Sequence, residues 1–120
     1  MSAEIAQATS RETLELRFRA PRHLLVLCDQ GRRSDGQTSV AGLPRSELRD
    51  LARSFVFVPA GSDYHELHRP RVLPRYVFFY FDPSRMPPPG QGAGAASWAP
   101  RLLFEDAALL DTALKLKRLI

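Results

Sequence analysis

Arg75-Tyr76-Val77-Phe78-Phe79-Tyr80-Phe81-Asp82 is the stretch that decides the fold class. Five of its eight residues are aromatic. Aromatic and β-branched side chains suit a pleated surface, and a run this apolar needs cover on both faces of a sheet. We read it as a central strand. Upstream, Leu14, Leu16 and Phe18 alternate with Glu15, Arg17 and Arg19, the period of a half-buried strand. Pro21 ends that strand. The run His23 to Cys28 is short, largely apolar and bounded by Pro21 and Gly31, so it reads as a buried strand.

Asp35-Gly36 carries the signature of a two-residue hairpin, because a type I′ turn needs positive φ at both central residues. The expectation is that Leu24 to Arg33 pairs with Gln37 to Ala41, before Gly42-Leu43-Pro44 turns the chain. Ser46 to Arg53 is open between a helical turn, suited by Leu48 and Leu51, and a loop with a short strand. Phe55 to Val58 reads as a strand stopped by Pro59-Ala60-Gly61. Tyr64 to His68 reads as another, and Arg69 to Pro74, with two prolines, as a loop. About six short strands separated by turns predict an antiparallel roll or barrel.

Residues 1–12 are polar and without clear period, and read as a mobile N-terminal arm. The barrel is expected over 13–85. Residues 86–100 hold 4 of the 10 Pro and 3 of the 7 Gly and read as a flexible linker, with Trp98 as a side chain that docks back. Residues 101–120 are assigned to a helical region, with the helix itself from Asp106 to Ile120. Glu105 and Asp106 at its start and Lys115, Lys117 and Arg118 at its end complement the helix dipole. Leu109, Ala113, Leu116 and Ile120 form a stripe at 4-3-4 spacing, which suits either packing on the chain's own domain or half of a dimer seam. No Gly, Asn or Pro closes this helix, so the chain reads as a fragment of a longer design.

The chain has 120 residues, enough for one domain with its own core. One Cys excludes an internal disulfide framework and a multi-Cys zinc site. No apolar run approaches the ~20 residues of a membrane span. No secretory signal is visible at the N-terminus, and a soluble cytoplasmic domain is expected. The net charge is +4, carried by 15 Arg and 2 Lys against 13 acidic residues. These cations are spread along the chain, with Arg32-Arg33 and Lys117-Arg118 the adjacent pairs. A phosphate-tracking surface needs a concentrated stripe, so composition does not argue for nucleic-acid binding.

Three constellations could carry chemistry. His65-Glu66-Leu67-His68 lacks the i, i+4 histidine spacing of a helical zinc motif. On a strand His65 and His68 point to opposite faces, badly placed to share a metal. Tyr64, Glu66 and His68 share one face and offer a phenol, a carboxylate and an imidazole. Spacing alone leaves open whether that face lines a pocket or meets solvent. The aromatic strand splits into Arg75, Val77, Phe79, Phe81 and Tyr76, Phe78, Tyr80, Asp82, and either set is plain core or the apolar wall of a small-molecule site. Cys28 has no evident activating partner and reads as inert. No glycine-rich loop joins a strand to a helix, so no phosphate cradle is expected.

Phe57-Val58-Pro59-Ala60-Gly61, then Tyr64-His65-Glu66, then Tyr80-Phe81-Asp82-Pro83 resembles the N-terminal cupin-like domain of AraC-type transcriptional regulators. The Asp35-Gly36 hairpin fits the same order of elements. Ala113 to Ile120 looks like the start of the helical region that follows the barrel. The resemblance spans Phe18 to Ile120. It implies a cupin-like antiparallel β-roll that senses a small-molecule effector and forms a homodimer. DNA binding then belongs to a C-terminal helix-turn-helix domain that this chain lacks. By position, Tyr64, Glu66 and His68 would face the barrel interior and hydrogen-bond the effector; a one-residue slip would put His65 and Leu67 inside instead. Tyr76, Phe78 and Tyr80 would pack on it, the arm would close over it, and Leu109, Ala113, Leu116 and Ile120 would join two subunits. Metal-dependent cupins place His three residues after the glycine of Pro-x-Gly and carry His-x-His. Here Tyr64 holds the first position and no His-x-His occurs, so no metal, cofactor or enzymatic activity is implied. The alternatives are a small metal-dependent cupin enzyme using His65 or His68, and a remnant without activity.

Overall fold

The computed structural model describes residues 1–85 and 99–120. The Pro/Gly-rich stretch and Trp98 lie outside the described residues. The described chain forms β1 (Ser2–Gln7), β2 (Leu14–Phe18), β3 (His23–Val40), β4 (Ser54–Val58), β5 (Tyr64–Phe81), β6 (Arg101–Phe104) and helix α1 (Ala107–Lys117). The strands make one antiparallel six-stranded sheet in the order β1-β5-β3-β4-β6, and β2 pairs with β5 beside β1. The sheet does not close into a barrel.

Two strands of 18 residues, β3 and β5, form the spine and pair along their whole length. This overturns the hairpin expected at Asp35-Gly36. Both residues lie inside β3, opposite Arg69 and His68 of β5. Gly36 has φ +140°, and a Cβ there would stand 2.1 Å from the Leu67 carbonyl oxygen. The glycine serves a close backbone approach at a bulge rather than a reversal of the chain. The register shifts repeatedly between Cys28 and Asp35, and each shift bends the strand.

The loop expected over Arg69 to Pro74 is likewise part of β5. One edge of β5 is shared by β2 over residues 64–68 and β1 over residues 75–80. Pro70 and Pro74 fall in the gap between them, where a missing N–H costs no ladder bond on that edge. The arm is a strand too, at least over Ser2–Gln7. The ambiguous stretch after Ser46 is neither helix nor regular strand. It runs antiparallel to β3 through isolated bridges, Thr38 to Ser46 and Arg32 to Asp50.

β5 curls back on itself. Phe18 sits opposite Tyr64 in register, yet its ring lies 6.0 Å from that of Tyr80. A straight strand would separate residues 64 and 80 by about 53 Å, longer than the 46 Å greatest extent of the molecule. The sheet therefore has a concave face. On it pack Leu24, Val26, Cys28, Val40, Val56, Val58, Tyr64 and Tyr76.

The opposite face carries a second core, in which Leu27, Phe55, Val77 and Phe79 meet Ala113 of α1. Leu109, Leu110, Leu114 and Leu116 pack around it. Both faces of the aromatic stretch are thus covered, as its composition predicts. Asp106 caps the helix, its carboxylate accepting from Leu109 N–H at 2.9 Å, a bond worth about 1 kcal/mol. The helix is shorter than expected: residues 101–104 form β6, and it closes at Lys117. Lys117 Nζ and Arg75 Nε both donate to Asp29 Oδ2, at 2.5 and 2.8 Å, and pin the helix end to the sheet.

Of the two roles open to the helix stripe, packing on the chain's own domain is seen at three of its four positions. Ala113 is buried in the chain's own second core, and Leu109 and Leu116 pack against it while staying half-buried. Ile120 follows the helix and is exposed. No helix among the described residues is long and apolar enough to cross a membrane.

Candidate functional site: a buried polar row inside the roll

Strand alternation places Tyr64, Glu66 and His68 on the concave face of β5, and all three are at most 2% exposed. The bend of β5 brings Tyr76 over the row. Its hydroxyl is 3.3 Å from His68 Nδ1, although eight residues separate the two along the strand. From β3, Thr38 Oγ1 donates to Glu66 Oε1 at 3.2 Å. Arg33 Nη1 donates to Thr38 Oγ1 at 2.9 Å and lies 4.0 Å from Glu66 Oε1.

Arg33 is the functional residue that the linear reading misses. It is 1% exposed. Its guanidinium also donates to the carbonyls of Leu48 at 2.7 Å, Ser46 at 3.2 Å and Leu67 at 3.4 Å. The stretch after Ser46 is thus held both by these bonds to a buried cation and by backbone bonds to β3, Thr38 N–H donating to the Ser46 carbonyl and Arg33 N–H to the Arg49 carbonyl. Period-two extrapolation from Leu24, Val26 and Cys28 would put Arg32 inside and Arg33 outside. The bulges after Cys28 reverse that parity; Gly31 and Gly36 are their sequence signal, one that reads equally well as a turn.

Burial governs the protonation of the row. It pushes the Glu66 carboxyl up, against the opposing pull of Tyr76, Arg33, Thr38 and Tyr64. It drives the His68 imidazole down to about 4, helped by the Arg33 charge, so His68 is neutral at pH 7. It raises both the Tyr64 and Tyr76 phenols, so each stays protonated. Cys28 at the margin is pushed up to about 12, chiefly by burial, and its Sγ faces the Gln30 carbonyl at 3.4 Å. A thiol so disposed is no nucleophile at neutral pH.

Tyr64 Oη, Glu66 Oε2 and His68 Nε2 are buried with no partner in close hydrogen-bond geometry, although the Tyr64 and Tyr76 hydroxyls stand near enough to Glu66 to favour its carboxylate. Each orphan costs about 1–3 kcal/mol of desolvation. Together they offer a hydroxyl, a carboxyl oxygen and an imidazole nitrogen to anything polar that enters.

The other expected ligand contacts divide. Tyr76 joins the row. Phe78 is half-buried, its ring 5.9 Å from that of Tyr76. Tyr80 lies further out, donating its hydroxyl to Glu4 of β1 and carrying the Arg22 guanidinium 4.5 Å above its ring. β1 thus engages the outer end of the aromatic face by strand pairing. His65 points the other way, 3.4 Å from Glu15 Oε1 on β2. The two histidines stand on opposite faces, as strand geometry predicts. Among the described residues no three His, Cys, Asp or Glu side chains gather into a metal-ligating group.

Comparison of the chain with family models, curated proteins and solved structures finds no match.

Proposed function

We propose that the chain is a small-molecule-sensing β-roll module whose effector is held by Tyr64, Glu66 and His68. The observation that carries the reading is the set of three buried atoms without a close hydrogen-bond partner on one face of one strand. A purely structural core would replace such groups with apolar ones of similar shape at little cost. A ligand bearing both a donor and an acceptor, such as a hydroxyl or an amide, would satisfy the row. Val26, Val40, Val56 and Phe78 pack around the row and would meet the carbon skeleton of such a ligand once the roll opens.

The row is sealed from solvent, so binding has to be coupled to an opening of the roll. β2 is the natural gate. It pairs with one edge of β5 directly beside the row, and Leu14, Leu16 and Phe18 are only partly buried. A ligand that fits one state of the gate better than the other shifts the balance between them. In the regulatory reading implied by the AraC-type resemblance, the module acts as a homodimer and controls transcription when joined to a helix-turn-helix domain.

The test is a thermal-shift screen of small polar metabolites, followed by calorimetric titration of any hit. The Tyr64→Phe/His68→Ala double variant should lose at least about tenfold in affinity, the equivalent of 1.4 kcal/mol. Unchanged affinity in that variant would remove the row from the binding site.

A further inference from the structure

Four arginines that are spread along the sequence meet around one surface hollow. Arg32 of β3, Arg49 of the irregular segment and Arg71 of β5 line one surface hollow of about 490 Å³, with Ser34, Asp50 and buried Arg33. Three separate chain segments supply these side chains. The backbone sets the convergence: Arg32 pairs with Val72 on one side and bridges Asp50 on the other, and Arg33 N–H donates to the Arg49 carbonyl.

The charge in this hollow is not compensated. Arg32, Arg49 and Arg71 are all exposed, and none forms an ion pair among the described residues. Asp50 is the acid in the lining, and its Oδ1 is occupied by Ala52 N–H at 3.2 Å. Arg33 faces Glu66 in the interior. Three free guanidinia against one carboxylate leave an excess of two positive charges around a concave space.

We propose that this hollow is a binding site for a compact phosphoryl anion, independent of the buried row. Each guanidinium presents a planar fork of donors, and forks arriving from three directions suit a tetrahedral group with several acceptor oxygens. A planar carboxylate would engage one fork and leave the others facing each other. A doubly charged phosphoryl group matches the excess. The volume falls within the range of small-molecule sites and sets a compact anion apart from an extended strand, which would need a continuous basic track.

The experiment is a calorimetric titration of the full chain with inorganic pyrophosphate at low salt. It compares the wild type with an Arg32→Gln/Arg71→Gln variant and with an Arg17→Gln/Arg19→Gln control at the end of β2 and just beyond it. All four positions are exposed, so each variant should keep the wild-type melting temperature. The expected result is pyrophosphate binding that weakens at least about tenfold in the Arg32/Arg71 variant and stays within about twofold in the control, factors of 1.4 and 0.4 kcal/mol. Equal weakening in both variants, or no binding by the wild type, would overturn the proposal. A short DNA duplex that outcompetes pyrophosphate and loses affinity equally in both variants would also overturn it, in favour of a diffuse charged surface.

Discussion

The two faces of the sheet solve the same problem in opposite ways. The face under α1 is apolar at its centre, where Leu27, Phe55, Val77 and Phe79 meet a leucine-rich helix, with the Asp29 ion pairs at its margin fully matched. The concave face holds comparable apolar side chains, but at its centre Arg33, Thr38, Glu66 and His68 are fully buried. The helix face contributes stability through area removed from water. The concave face gives some of that away, because its desolvated polar atoms are only partly paired. A protein that needed only a stable roll would gain by making both faces alike. The difference is what points to the concave face as the working one.

The largest expected effect lies on the helix face. Phe79→Ala deletes a ring that is 1% exposed, and should cost about 4 kcal/mol in urea unfolding. A loss well under half of that would mean the helix is loosely docked, and the contrast between faces would weaken. On the concave face, Arg33→Met keeps volume but removes the charge facing Glu66 and three carbonyl contacts. It should cost about 3 kcal/mol. Its distinctive mark is local: hydrogen exchange at the Ser46 amide, which bonds to the Thr38 carbonyl, should accelerate more than exchange in β4. Uniform acceleration would make Arg33 an ordinary core residue.

The smallest effect is a pH slope. His68 in the folded state titrates near 4, below its ordinary 6.5. Between those values the unfolded chain binds more protons, so stability is intact above pH 6.5 and is lost as pH falls toward 4. His23, also lowered by burial, acts in the same direction, and Glu66, raised by burial, acts against it. Comparing wild type with His68→Gln isolates the His68 share. The drop in stability from pH 7 to pH 5 should shrink by on the order of 1 kcal/mol in the variant. An unchanged drop would show that His68 is hydrated in the folded state, and that the row is less sealed than the helix face.

Some of this was legible beforehand. Alternation marked Leu14 to Phe18, and apolar runs marked the strand cores at Cys28, Phe55 and Phe79. The i, i+2, i+4 spacing correctly put Tyr64, Glu66 and His68 on one face and His65 on the other. Asp35-Gly36 misled because a glycine needed for positive φ in a turn and one needed for close approach at a bulge look the same in sequence. Pro70 misled because the cost of a proline depends on whether a neighbouring strand would have used its N–H.

By itself the sequence determined the local terms: which stretches are extended, which side chains share a face, and where a capped helix begins. Those follow from steric propensity and from the period of the strand, which act over a few residues. Only the tertiary structure decided that β3 and β5 bend. With that bend came the concave face, the reversed parity that buries Arg33, the contact of Tyr76 with His68, and the meeting of Arg32, Arg49 and Arg71. Bulges are set by competition between two paired strands for register, and no single strand's sequence contains its partner.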